Sequence, residues 1–215
     1  MSTRNRARAG FTLIELLVVI GIIGLLIAVV VPTYAKIQTM GKEKQVKARL
    51  SSIAAAVDNY YAEVGDYPPS HFEDLYTKVN GQEKTRKISS NGLNEGSEAL
   101  VLALFDKDYT GSREEDGLAN RDDDELKKSL TIFPEPALFE YEDVWENPIV
   151  YIHNRDYEKS FKYWIRDEAD VYHEVEVKAV KNPDTGSYYN LDSFQIFSVG
   201  ADSTFGTDDD IHLWD

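Results

Sequence analysis

From Phe11 to Val31 the chain is apolar at every position except Thr12 and Glu15 and the two glycines. A helix needs roughly 20 such residues to cross a bilayer, so this run predicts a spanning segment. Arg4, Arg6 and Arg8 precede it with no acid among them, which places the start in the cytoplasm and the bulk of the chain on the far side. A secretory signal peptide would have a shorter apolar core ending in a small-residue cleavage site, and Val30-Val31-Pro32-Thr33-Tyr34 makes a poor one. A plain anchor would not need Glu15, because an acid at the centre of a membrane helix costs about 2.5 to 3.5 kcal/mol and such residues are normally paired. Cleavage between Gly10 and Phe11 would create the missing cation, the α-amino group of Phe11 on a neighbouring copy.

The rest of the 215 residues, net charge −15, is long enough for one domain with an insertion. That acidity disfavours nucleic acid as a partner and fits a repulsive surface or a cation binder. There is no cysteine, which removes disulfides, thiolate catalysis and cysteine zinc sites. His71, His153, His173 and His212 are scattered without ligand spacing and read as surface or edge residues. Glu140 and Asp143 are acids of the type used in acid/base chemistry, but no pocket follows from sequence, so an exported enzyme has little support.

Pro32 can kink the helix after the apolar run, since proline removes a backbone donor. Leu50, Ile53, Val57, Tyr60, Tyr61 and Val64 then fall on one helical stripe, and Gly65 with Pro68 and Pro69 ends it. His71 to Val79 reads as a short helix, 80–97 as a polar loop, and Ser97 to Phe105 as a buried helix with Ser97 as N-cap. The charge-dense stretch 106–128 reads as a solvated insertion. Within it, Asp106 to Gly111 resembles half of an EF-hand loop but lacks the closing Glu. The last third reads as strands at 144–152, 161–165, 171–179 and 194–199, with a turn at 182–186. Val171, Val175, Val177 and Ala179 are expected on the inner face of the third.

The chain closes on Ser198 to Ile211, where Asp202, Asp208, Asp209 and Asp210 crowd together between Gly200 and Gly206. Such carboxylates repel unless a cation sits among them, and Ca²⁺ takes six to eight oxygens in flexible geometry. The other reading is a solvated acidic turn. Asp209 is expected to face solvent.

Gly10-Phe11-Thr12-Leu13-Ile14-Glu15-Leu16 resembles, residue for residue, the prepilin motif of the type IV pilin and type II secretion pseudopilin superfamily. Ser198-Val199-Gly200-Ala201-Asp202, Asp210-Ile211, Trp214, Gly65-Asp66-Tyr67-Pro68 and Trp145-Glu146-Asn147-Pro148 are similar to features of the major pseudopilin, pseudopilin G. The resemblance implies an α+β, pilin-like fold: a long N-terminal helix, half transmembrane and half amphipathic, packed on a small antiparallel sheet. It divides the chain into a leader (1–10), an assembly helix (11–31), its amphipathic continuation (32–65), an insertion region (66–143) and a sheet with the acidic loop (144–215).

By the same resemblance, a prepilin peptidase cleaves between Gly10 and Phe11 and methylates Phe11. Copies polymerise into a helical filament in which Glu15 meets the Phe11 amine. The implied partners are minor pseudopilins and an inner-membrane assembly platform, and the implied place is the inner membrane, with the globular part periplasmic. The closing loop is implied to hold Ca²⁺ through the Val199 carbonyl, Asp202 and Asp210, with Asp208 as a further ligand. The globular part is longer than is usual in that family, chiefly over 80–129, and its closing loop is shorter. A cell-surface pilin or minor pilin, and a monomeric membrane-tethered binding module, are the alternatives to a secretion pseudopilin.

Overall fold

The computed structural model describes residues 11–79, 82–85, 88–167 and 169–214. The leader 1–10, with Gly10, lies outside them. The described chain forms two compact units, one ending at Gly41 and one running from Lys42.

Helix α1 spans Leu13–Val64, with the backbone helical through position 32. Within the second unit it buries Val46, Leu50, Ile53, Ala56 and Val57, spaced so that one face meets the core. The expected stripe therefore starts earlier and ends earlier than its apolar spacing suggested. Tyr61 and Val64 are exposed, and Tyr61 stacks on Tyr67 with ring centroids 4.5 Å apart. The helix ends where Gly65 takes φ +89° and its N–H bonds the Tyr61 carbonyl at 2.8 Å, a left-handed stop that glycine adopts without strain.

Residues 71–79 are not a helix. A single 3-10 turn, Phe72–Asp74, leads into β1 (Tyr76–Val79), which pairs antiparallel with β2 (Gln82–Thr85). The apolar spacing there suits a helix, but β-branched Thr77 and Val79 suit a strand equally well, and a pairing partner only three residues on decides it. Helix α2 begins at Glu95 rather than at Ser97 and runs to Leu104. Asn94 precedes it in the left-handed conformation, and its residues from Gly96 onward are all buried. Ser97 Oγ instead accepts the N–H of Tyr141 at 3.0 Å, tying the helix to a neighbouring strand.

That strand, β4 (Glu140–Tyr141), pairs with β3 (Leu118–Ala119). The stretch 106–128 is thus not simply solvated. Tyr109 and Asp124 are buried, and Arg49 of α1 donates to the Glu142 carbonyl at 2.6 Å.

Three of the strands of the last third lie close to the expected positions, but 144–152 opens as a turn, with Glu146 at φ +66°, and is strand only from Val150. β5 (Val150–His153) pairs with β8 (Phe194–Ser198), and β8 also pairs with β9 (Ile211–His212). β8, central in this sheet, is buried at all of its residues, as a strand covered on both faces must be. β6 (Ser160–Arg166) and β7 (Tyr172–Lys178) form a separate hairpin. Phe161, Tyr163, Ile165, Val177 and Ala179 point into a core with Phe197, Val199 and Trp214. Val171 is turned outward, because Asp167 Oδ1 accepts its N–H at 2.9 Å and holds it in the turn.

One histidine departs from its expected place. His153 is buried, with Nε2 3.2 Å from Asp66 Oδ1. Burial and the Arg155 charge lower its pKa, against the pull of Asp66. Close by, buried Asp156 accepts from Ser70 Oγ at 2.6 Å and pairs with Lys159 at 2.7 Å. Burial works to raise its pKa, but the bonds from Lys159 and Ser70 outweigh that and hold it low. These contacts, with the Tyr151 hydroxyl donating to the Pro68 carbonyl at 2.6 Å, fix the Gly65-Asp66-Tyr67-Pro68 turn against β5.

Candidate functional site

Two places answer to the residues singled out in the sequence, and the structure adds a third. The first is the start of α1. Thr12 and Glu15 form a reciprocal cap: Glu15 Oε2 accepts the Thr12 N–H at 2.9 Å and the Thr12 hydroxyl at 2.7 Å, while Thr12 Oγ1 accepts the Glu15 N–H at 3.3 Å. Thr-x-x-Glu is the spacing of a capping box, which satisfies helix-end donors that have no intrahelical partner. In the single chain Glu15 is therefore bonded within its own first turn, a role its isolation among apolar residues did not suggest. Phe11 and Leu13 are exposed at 74% and 81%, and the apolar side chains up to Val31 that are described are exposed as well. Among the described residues no helix is long and apolar enough to cross a membrane. The longest stretch at the start of α1 with every side chain described, Leu13–Ala28, falls short of the roughly 20 residues required.

The second place is the closing loop. It is anchored from behind by the 143–147 turn: Ser198 Oγ donates to Asp143 Oδ2 at 2.5 Å and Asn147 Nδ2 donates to Ser203 Oγ at 2.9 Å. Asp143 also accepts the N–H groups of Trp145 and Asn147. Burial pushes its pKa up to about 6 against these bonds. Asp143 is therefore a hydrogen-bonded fastening of the turn. At the far end Trp214 packs edge-on against Phe197, with ring centroids 5.7 Å apart.

Inside the loop the acids play different parts. Asp209 does not face solvent: its Oδ2 accepts the Asp202 N–H at 2.8 Å and its Oδ1 the Thr207 hydroxyl at 2.5 Å. Partial burial opposes, but these bonds hold its pKa below the usual carboxylate range. Its carbonyl lies against Gly200, which has φ +71° and no room for a Cβ; the chain crosses itself there. Asp202 is exposed and caps the Thr204 N–H at 2.8 Å, and Asp208 is exposed. Asp210 Oδ2 accepts the Gly206 N–H at 2.9 Å, while its Oδ1 is buried without a partner. Burial, with the charges of Asp209 and Asp202, pushes the Asp210 pKa up to about 6. A cleft beside the loop is lined by Glu43, Lys44 and Lys47 of α1 and by Asp208 to His212.

The third place was not foreseen. Among the described residues, the one acidic group whose ligand oxygens all lie within 4.8 Å of one another is Glu98, Asp122 and Glu140. Glu98 comes from α2, Asp122 from the turn after β3, and Glu140 from β4. The sequence signal is a glutamate, Glu98, at the head of the apolar run Ala99 to Phe105, and the alternation Asn120, Asp122, Asp124. The EF-hand-like stretch shows no comparable convergence: Asp106 Oδ1 accepts the Asp108 N–H at 2.8 Å, and Asp108 is exposed.

The described residues form an α+β fold with an exposed apolar helix start and a fastened acidic closing loop. The family profile described as the prokaryotic N-terminal methylation motif matches residues 5–31. The type IV major pilin protein PilE1 of Neisseria gonorrhoeae is 30% identical over 122 residues, which cover 50% of this chain and 68% of that one. The type II secretion system core protein G of Pseudomonas aeruginosa is 34% identical over 91 residues, 41% of this chain and 64% of that protein. The type IV major pilin protein PilA of Myxococcus xanthus is 36% identical over 90 residues, and the match spans 41% of its length. No solved structure matches the chain significantly. The chain belongs to the type IV pilin and pseudopilin superfamily, and it is not an enzyme.

Proposed function

We propose that this chain is the subunit of a pseudopilus filament serving type II protein secretion. It is made as an inner-membrane precursor with its start in the cytoplasm, cut between Gly10 and Phe11 by a prepilin peptidase, methylated on Phe11, and polymerised with the help of minor pseudopilins and an assembly platform. The observation that carries this reading is the exposure of the described apolar side chains between Phe11 and Val31. A surface of that extent needs lipid or other helices to cover it. Lipid covers it before assembly, and the same run of neighbouring copies covers it afterwards, where Glu15 exchanges its own cap for the Phe11 amine next door. A cell-surface pilus is the second reading, favoured by the pilin relatives; the pseudopilin G-like closing loop favours secretion.

The test is to express the chain with a prepilin peptidase, determine the mature N-terminus by mass spectrometry and examine sheared fractions by electron microscopy. N-methylated Phe11 and thin filaments are expected. A mature chain starting elsewhere, or a monomer in every fraction, would sink the proposal.

Calcium in the closing loop belongs to the same reading. The buried, unpartnered Asp210 Oδ1 and the all-oxygen donor set suit a hard cation. The Val199 carbonyl, Asp202, Asp208 and Asp210 would hold it, drawing the loop's free carboxylates onto one charge. In the full chain in detergent micelles, Asp210→Asn is expected to diminish the loss of melting temperature caused by EDTA. An EDTA response identical to that of the unmodified chain would remove calcium from this loop.

A further inference from the structure

Four acids meet in the interior of the second unit. Glu98 and Glu140 are 0% exposed and Asp124 is 9% exposed, with Asp122 half-buried beside them. Their oxygens are largely unclaimed: both of Glu98, Oδ1 of Asp122, Oδ1 of Asp124 and Oε2 of Glu140 are buried with no hydrogen-bond partner, as is Oδ1 of Asn120 in the same turn. A buried carboxylate without partners is among the most expensive groups a fold can carry.

The neighbouring donors do not meet that demand. Asn94 Nδ2 reaches Asp122 Oδ2 at 3.4 Å and Glu140 Oε1 at 3.5 Å. The Arg121 N–H reaches Glu140 Oε1 at 2.8 Å, and the Asn91 N–H reaches Asp124 Oδ2 at 3.4 Å. The nearest guanidinium in sequence is already taken, since Arg121 pairs with Glu142 at 2.7 Å. Burial and the charges of the neighbouring acids raise the pKa of Glu98 well above the usual range and, against the Arg121 N–H bond, push Glu140 up to about 8.

We infer that Glu98, Asp122 and Glu140, with Asp124, form a cage for one divalent hard cation, best suited to Ca²⁺. Oxygens 2.3 to 2.6 Å from a common ion are at most about 5 Å apart, and the oxygens of Glu98, Asp122 and Glu140 lie within 4.8 Å of one another. Mg²⁺ fits less well, because it keeps most of its water and demands strict octahedral geometry. The left-handed turn at Asp123, φ +57°, lies between two of the ligands. One ion would thereby join α2, the turn after β3, and β4 into a single block. The cage is separate from the closing loop and stands whether or not that loop takes calcium.

The experiment uses the full chain in detergent micelles, first stripped with EDTA and then titrated with CaCl₂ or MgCl₂. Melting is followed in the unmodified chain, in Glu98→Gln, and in Asp210→Asn, the last to silence the closing loop. With Ca²⁺ at about 100 times its dissociation constant, the midpoint should rise by about 5–10 °C in Asp210→Asn, with a smaller response to Mg²⁺. Glu98→Gln should lose that part of the rise. Should Glu98→Gln fail to fold, Asp122→Asn, at the half-exposed edge of the cage, takes its place. The cage is refuted if Asp210→Asn shows no Ca²⁺-dependent rise, or if neither cage variant diminishes it; either result would mean that these acids simply retain protons.

Discussion

Glu15→Ala is expected to give a chain that inserts in the membrane and is cut at Phe11 but yields no filaments. In the single chain the carboxylate is bonded to Thr12, so its removal costs a helix cap, about 0.5–2 kcal/mol, in a segment that packing does not otherwise hold. In the proposed filament the loss is larger. Each Phe11 ammonium would be left unpaired among apolar side chains, and breaking a buried pair costs about 3–5 kcal/mol. Repeated at every contact, that lowers each association constant by a factor of roughly 100 to several thousand. Glu15→Gln separates the two roles, since it keeps a side-chain oxygen for the cap and loses the charge. Both variants should be deficient in sheared filaments while cofractionating with membranes. Filaments of normal yield from Glu15→Ala would show that assembly does not run through this carboxylate.

Gly96→Val is expected to destabilise the second unit severely. Gly96 sits in α2 where a Cβ would collide with the Tyr151 carbonyl oxygen of β5 and lie 2.5 Å from the Tyr163 hydroxyl of β6. The first of these is backbone, so nothing flexible can give way. Overpacking typically costs 1–3 kcal/mol when side chains can adjust. Here the helix and a central-sheet strand must separate, and a loss of at least about 3 kcal/mol is expected from a total that is seldom above 15. Gly41→Ala is the control: nothing lies within 4 Å of the added carbon, and alanine in a helix is favoured over glycine by about 0.5–1 kcal/mol. Circular dichroism melts of the two variants side by side would decide; a Gly96→Val chain with an unchanged midpoint would refute the close approach of α2 to β5.

Apolar length and periodicity made α1, β5, β6 and β8 legible, because each buries a surface whose pattern matches its own geometry. The segment 71–79 was misread since Phe72, Leu75, Tyr76 and Val79 satisfy a helical period, and only the partner strand 82–85 reveals the alternative. The buried acids were hidden for the opposite reason. Charge is ordinarily evidence of solvation, so Asp122 and Asp124 within 106–128 pointed outward on composition alone. Nothing in the chain order joins Glu98 to Glu140. Glu15 was legible as an anomaly, but its cap by Thr12 depends on the helix beginning at Leu13, a boundary that sequence fixes poorly. Asp209, expected to face solvent, is half-buried, because the crossing of the chain at Gly200 brings its carboxylate onto the Asp202 N–H.

Among the described residues the β6–β7 hairpin is separate from the three-stranded sheet, and β7 pairs with β6 alone. Its free border therefore offers unsatisfied amides and carbonyls to any passing strand. It is guarded by Glu174 and Glu176, which pair with Lys162 and Lys178 at 2.8 and 3.0 Å, and charged side chains at such a border discourage sheet-to-sheet stacking. In the proposed filament, such a border would leave the apolar helices, and not the sheets, as the place where copies join.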